Sequence, residues 1–485
     1  MARQHPSDEI HPALAALLGR PRTALEVGCG AGVHGMLCRR QGAHVTGIER
    51  VPELAARAAR LLDEVHALDP DGAEVERALG DRRFDLVLIP DLLERARDPE
   101  SIVARYARYV APEGRLLVAV KNQRGWPVRL GVASPQIGYA TVEEQPPRLF
   151  AREEVEGWIL RTGLELLSVD LDPILLKALR GALADDVYRS ARRDEESVSG
   201  FRDWSPYQSY LELIRPIEVA LARPAGDLFT FTNVFCARRK PAPGPVSLTV
   251  GMLTMDEEPS VARMMEAIRK HAPDAKILCV DSSLRDRTPF IAEELGARVL
   301  RQLPPRGHGP AMELLMREAA GESDALVYLD CDFTYPPEVI PQIRAILEQG
   351  VDVVNAARIR TRPAAMPLTN YAANKTFVWC ARLLNGMPVA DLHSGMRGYR
   401  SSTMRAFAFD GEGDALPIDT LLWPARSGYR VVEIPIDYQE RVGQSKLRKV
   451  AGTVWTFIRL AKTLRVGERR DGTYEAWSSA GGREP

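Results

Sequence analysis

Ala325-Leu326-Val327-Tyr328-Leu329-Asp330-Cys331-Asp332-Phe333-Thr334-Tyr335-Pro336-Pro337 is the stretch from which the rest of the chain is read. Leu326 to Leu329 have the apolar density of a strand buried in a parallel sheet. The double proline 336–337 then sets the start of a helix, because a fixed φ and a missing N–H suit a first turn. Between them, Asp330 and Asp332 stand at i and i+2 just past the strand, so their side chains point the same way. Carboxylate oxygens are the ligands that hard divalent cations prefer. Asp330 and Asp332 are therefore candidates to hold Mg2+ or Mn2+ against a diphosphate.

The surrounding sequence repeats the same unit. Strands are expected over residues 246–253, 276–280, 299–302 and 351–356, with helices near 260–271, 289–295 and 311–320 and another beginning at Pro337. Repeated βα units imply a mostly parallel, doubly wound sheet whose ligands bind at the carboxyl ends of its strands. Asp256, Asp281 and the Asp330/Asp332 pair all fall there, which points to one shared site.

From about 246 to 464 the sequence resembles inverting family 2 glycosyltransferases of the GT-A fold, and among them the polyprenyl- or dolichyl-phosphate sugar synthases. Thr254-Met255-Asp256-Glu257-Glu258 is similar to P-T-x-N-E-E, with Asp256 in place of asparagine. Cys279-Val280-Asp281-Ser282-Ser283 is similar to V-V-D-D-G-S, with two serines replacing Asp-Gly. Gly307-His308-Gly309 stands for G-K-G, and residues 353–358 resemble V-V-I-G-S-R. Residues 389–400, VADLHSGMRGYR, resemble V-x-D-x-T-S-G-F-R-x-Y-R, and residues 441–447 resemble R-x-G-x-S-K-L. The resemblance implies a nucleotide-sugar donor bound through Asp256, Glu258, Asp281, Asp330 and Arg358, and transfer with inversion to polyprenyl phosphate or another acceptor. Arg397, Arg441 and Lys446 supply cations suited to charge growing on a leaving diphosphate. Asp391 is the carboxylate expected to act as base on a hydroxyl acceptor; a lipid phosphate is already an anion, and Asp391 would then orient groups or hold metal. Asp419 is a further acid without an assigned role.

The first half carries a second nucleotide-like site. A strand over 23–27 breaks into Gly28-Cys29-Gly30-Ala31-Gly32 before a helix over 33–41, and a strand over 44–48 ends in Glu49. Glycines let a ligand approach the backbone at a helix N-terminus, and a terminal acid receives ribose hydroxyls. A glycine turn alone also suits a dinucleotide fold. With Glu26 the turn is similar to the E/D-x-G-x-G-x-G of class I S-adenosylmethionine-dependent methyltransferases, and residues 84–94 and 109–118 look like later segments of that Rossmann-like fold. The resemblance implies S-adenosyl-L-methionine as cofactor, bound through Glu26, Gly28, Gly30, Gly32 and Glu49. Arg95 stands where many relatives have histidine. The methyl acceptor is not legible, and a non-catalytic binding role for this half is the competing expectation. Strands near 163–169 and 229–237 are expected to close the fold, with an aromatic insert around Trp204, Tyr207 and Tyr210 between them.

The proline-rich segment 241–245 separates two domains, 1–240 and 246–466, with a disordered tail expected over 467–485. With 64 Lys+Arg against 65 Asp+Glu, no general affinity for nucleic acid is expected. Six cysteines without a C-x-x-C pair suit a reducing cytoplasmic setting. Residues 449–465 form an amphipathic basic helix fit either to lie at the cytoplasmic face of a membrane as a peripheral contact or to pack on the catalytic domain. A soluble small molecule or glycan as sugar acceptor, with a tailoring methyltransferase, is the alternative.

Overall fold

The computed structural model describes residues 11–125, 148–173, 228, 230–358, 366–440, 449–463 and 474–476. It divides into two compact α/β units, Met1–Lys240 and Pro241–Pro485. Arg441, Lys446 and the aromatic insert lie outside the described residues.

In the first unit the strands are β1 (Thr23–Val27), β2 (His44–Ile48), β3 (Glu64–His66), β4 (Phe84–Pro90), β5 (Val110–Lys121), β6 (Glu165–Pro173) and β7 (Thr230–Arg238). They form one sheet in the order β3-β2-β1-β4-β5-β7-β6. The first five strands run parallel, and β7 is antiparallel to both β5 and β6. Expected strand and helix limits around the glycine turn agree to within a residue. Leu93–Arg95 makes a single 3-10 turn, and the α-helix starts only at Pro99, with Asp98 as cap accepting from the Ser101 N–H.

The second unit holds β8 (Leu248–Thr254), β9 (Lys276–Asp281), β10 (Arg298–Arg301), β11 (Ala325–Asp330), β12 (Val353–Ala357), β13 (Met396–Arg400), β14 (Val431–Pro435) and β15 (Tyr474–Ala476), in the order β10-β9-β8-β11-β13-β12-β14-β15. The parallel run was expected; β13, antiparallel between β11 and β12, was not. The helix Glu258–His271 shows why the core forms under this sheet. Val261, Met264, Met265 and Ile268 fall on one face, Pro259 opens the first turn, and Arg269, Lys270 and His271 meet the carbonyl end of the dipole. That face packs on Val250, Met252, Val327 and Leu329 of β8 and β11.

Two boundaries need correction. The linker is held by the second unit: the Gly244 N–H donates to the Glu348 carbonyl at 2.9 Å. The expected disordered tail contains β15, parallel to β14, where Tyr474 is buried and its hydroxyl donates to Glu433 at 3.1 Å. An aromatic edge position beside an open strand explains that ordering.

Candidate functional site

Backbone strain marks the strand ends. Asp91, Asp256 and Phe333 take positive φ (49°, 51° and 62°) just beyond β4, β8 and β11. Such conformations cost roughly 1–3 kcal/mol each and collect at functional sites.

In the second unit the ends of β8 and β9 are tied into one wall. Asp281 is buried, and its carboxylate accepts from Thr254 Oγ1 (2.7 Å), Ser283 Oγ (2.7 Å), Ser283 N–H (3.1 Å) and Arg301 Nε (3.2 Å). Four donors fill the four acceptor positions of a carboxylate. Asp281 thereby fixes the wall at the ends of β8 and β9, with Arg301 and Ser283 beside it. Asp256 accepts from the N–H groups of Leu284 and Arg285 (3.2 and 3.3 Å), and Glu258 from that of Arg287 (2.9 Å). Both therefore shape the 282–288 loop.

Asp330 is half-buried at the end of β11, and Asp332 is buried two residues on, closing a turn through Oδ1 with the N–H (3.0 Å) and hydroxyl (2.5 Å) of Thr334. Gly395 faces Asp330 so closely that a methyl group there would overlap the Asp330 carboxylate. The Gly395 N–H donates to Tyr335 Oη at 2.5 Å. This cradle fits a divalent ion shared with a diphosphate. Mg2+-type sites use one or two carboxylates and take their other oxygens from phosphate and water, and no group of three or more His, Cys, Asp or Glu is gathered as a metal cage among the described residues. Gly395→Ala is expected to lower kcat/KM for sugar transfer about 100-fold by displacing the carboxylate, with the circular dichroism melt retained.

Arg358 continues the same wall. Its guanidinium lies over the rings of Tyr335 and Tyr438 (5.7 and 5.5 Å) and grips Asp391 through Nε (2.8 Å) and Nη2 (3.0 Å). The Arg358 N–H (3.0 Å) and His393 N–H (3.1 Å) complete four donors to Asp391, which is fully buried. Burial opposes ionisation of Asp391, but Arg358 overcomes it and holds the carboxyl below its ordinary range. A saturated, low-pKa carboxylate suits orienting its neighbours, the role expected of Asp391 with a lipid-phosphate acceptor, better than removing a proton. Arg397 is fully buried, with Asn355 Oδ1 (2.7 Å) and the Leu392 (2.7 Å) and Pro417 carbonyls taking its donors, so it positions the Asp391 loop.

His393 connects this loop to the helix Lys449–Thr463 through Thr456 Oγ1 at 3.0 Å. Burial pushes its imidazole from 6.5 down to about 4, with Asp391 opposing and Arg358 and Arg397 reinforcing the shift. Between those values the unfolded chain binds a proton that the folded chain refuses, so stability present at neutral pH is lost as pH falls through the window. The melting temperature is expected to drop from pH 7 to pH 5, and His393→Gln to remove part of that drop.

In the first unit Gly28, Gly30 and Gly32 all have positive φ (68°, 53° and 81°), as a turn hugging a ligand requires. Glu49 accepts from the Gly30 N–H (2.8 Å) and the Val51 N–H (2.9 Å), one per oxygen, leaving each oxygen a second acceptor position for a ribose hydroxyl. Glu26 is fully buried beneath the turn, accepting from the Gly35 N–H at 2.9 Å, with His34 Nδ1 3.3 Å away. It supports the turn from beneath. The open glycine backbone and Glu49 fit a nucleoside cofactor. Sequence reasoning did not single out Tyr335, Tyr438 or Arg301. Tyr335 stands in the opening stretch, and Arg301 marks the end of β10.

A family model described as methyltransferase domain matches residues 2–169, and one described as glycosyl transferase family 2 matches residues 249–401. A dolichyl-phosphate hexose transferase of Haloferax volcanii is 38% identical over 206 residues, 42% of this chain and 88% of that protein. An undecaprenyl-phosphate mannosyltransferase of Micrococcus luteus is 27% identical, over 40% of this chain and 84% of that protein. A ubiquinone biosynthesis O-methyltransferase of Xylella fastidiosa is 32% identical over 152 residues, 30% of this chain and 61% of that protein. The chain therefore belongs, through its C-terminal unit, to glycosyl transferase family 2, and it carries a methyltransferase domain in its N-terminal unit.

Proposed function

We propose that the second unit transfers a hexose from a UDP- or GDP-sugar to a polyprenyl phosphate with inversion, and that the first transfers a methyl group to an oxygen acceptor. The observation that carries the first half is the saturation of Asp391 by Arg358 and His393. Without a base at that position, an acceptor that arrives as an anion suits the site better than an alcohol. The sugar-transferring relatives named above act on lipid phosphates, in keeping with this chemistry. A Mg2+ or Mn2+ ion held by Asp330 and Asp332 would neutralise charge on the departing diphosphate. S-adenosyl-L-methionine, at the Gly28–Gly32 turn and Glu49, would supply the methyl group. The test incubates the protein with Mg2+ or Mn2+, labelled UDP- and GDP-hexoses and undecaprenyl phosphate. Metal-dependent label in the organic phase is expected; label transferred to water-soluble hydroxyl acceptors instead would overturn the lipid-phosphate assignment.

A peripheral membrane contact is part of the same proposal. No helix among the described residues is long and apolar enough to cross a membrane. Two helices, Leu368–Asn385 and Lys449–Thr463, meet through Phe377 and Phe457 (5.5 Å between centroids) and leave Trp379 (63%), Leu383 (69%), Val454 (53%), Phe457 (47%) and Ile458 (39%) exposed. Arg459 turns inward on the second of these helices, while Val454, Phe457 and Ile458 turn out. Replacing both Trp379 and Phe457 with Asp is expected to weaken flotation with phosphatidylglycerol vesicles at least tenfold, since each buried side chain contributes roughly 1.5–3 kcal/mol.

A further inference from the structure

Asp91 stands just past β4 in the first unit, strained at φ 49°, and the neighbouring Leu92 packs against Gly28 of the glycine turn. Two other chain segments converge on its carboxylate. His11 Nε2 donates to Oδ2, and Lys121 Nζ, from the end of β5, lies 2.7 Å from Oδ1. The Lys121 N–H in turn donates to Glu94 Oε1 at 2.8 Å. Burial opposes ionisation of Asp91, but His11 and Lys121 hold its carboxyl well below the ordinary range.

The His11 ring is fixed in both rotation and tautomer. It stacks on His34 at 5.7 Å between centroids and 6° between planes, and the His11 N–H donates to His34 Nε2 at 3.3 Å. His34 Nδ1 points to Glu26. With its Nε2 proton committed to Asp91, His11 carries its lone pair on Nδ1, and no hydrogen bond to that nitrogen is made among the described residues. The charged and titratable groups around the ring are thus Asp91, Lys121, His34 and Glu26, with Glu94 behind Lys121. A carboxylate that fixes the tautomer of an imidazole and stabilises its protonated form is the arrangement that makes histidine a general base.

We propose that His11, oriented by Asp91 and Lys121, is the general base for methyl transfer to a hydroxyl acceptor in the first unit, an inference that rests on the methyltransferase reading of that unit. The acceptor oxygen forms a bond to the methyl carbon, the carbon–sulfur bond breaks with its electron pair remaining on sulfur, and the hydroxyl proton passes to His11 Nδ1. A carboxylate acceptor, already an anion, would not need this base.

The test uses the full chain and two readouts besides turnover. Calorimetry with S-adenosylhomocysteine should give the same affinity for the parent and for His11→Gln. Nitrogen-15 NMR of histidine-labelled parent should show the buried His11 ring with its proton on Nε2 and its lone pair on Nδ1. With 3,4-dihydroxybenzoate and hexosyl undecaprenyl phosphate as hydroxyl probes, His11→Gln and Asp91→Asn should each slow methyl transfer at least ~100-fold. Failure of the parent to bind S-adenosylhomocysteine removes the methyltransferase reading itself. Binding with the His11 proton found on Nδ1, or transfer retained in His11→Gln, overturns the base alone. A parent that binds yet methylates neither probe overturns the hydroxyl class.

Discussion

Asp330→Asn is expected to reduce sugar transfer by ~10²–10³-fold or more, the range seen when one group stabilising a transition-state charge is removed, while S-adenosylhomocysteine binding to the first unit is unchanged. The substitution keeps the side-chain shape beside Gly395, so packing at the end of β11 is preserved and the change falls on charge. Asp332→Asn should act in the same direction, although its Oδ1 also closes the Thr334 turn. Raising Mn2+ should partly restore Asp330→Asn if the loss is one of metal affinity. Full activity of both variants in EDTA would remove the metal from the site. Rates should be read with labelled donor at saturating acceptor, so that donor and metal effects are not mixed with lipid access.

The doubly wound frame was legible because β1, β2, β9 and β11 are short apolar runs ending in glycine or acid, where one periodicity and one breaker agree. β13 was not, because Met396-Arg397-Gly398-Tyr399-Arg400 carries two arginines and a glycine and is nonetheless buried throughout. Its polarity is matched inside the fold, Arg397 by Asn355 and carbonyls and Arg400 by the Leu347 carbonyl at 2.6 Å. A residue's charge tells where it cannot be left unpaired; it does not tell whether its partner is substrate or protein. The same ambiguity separates Asp330 from Asp281 and Asp391. All three follow motif positions, but the last two have every acceptor site taken, partly by Ser283 and His393 two residues on and partly by Thr254, Arg301 and Arg358 from elsewhere in the fold, and spacing along the chain does not contain that long-range part. His11 escaped notice for a related reason: its partner Asp91 lies 80 residues away and meets it only through the sheet.

Arg459→Met is expected to cost the second unit about 3–5 kcal/mol, the range for removing one member of a buried ion pair. Arg459 and Asp419 are both fully buried and paired with each other. Three further carbonyls, those of Asp410 (3.1 Å), Glu412 (2.7 Å) and Asp414 (2.8 Å), point at the same guanidinium, and the Trp455 ring lies 5.8 Å away. Methionine fills similar volume, so the loss comes from the stranded carboxylate and carbonyls more than from a cavity. A double change, Arg459→Met with Asp419→Leu, should recover part of the stability but not all of it, because the three carbonyls stay unsatisfied. The measurement is the thermal transition of the second unit, distinguished from that of the first by stabilising the first with S-adenosylhomocysteine. This pairing also explains how one helix serves two purposes. Arg459 anchors it from the inside against the 410–419 segment, which frees Val454, Phe457 and Ile458 to face outward at no cost to the core. If Arg459→Met lowers vesicle flotation at a temperature where the fold persists, the anchor holds the apolar face in place; if flotation is untouched, that face is organised by the Phe377–Phe457 contact instead.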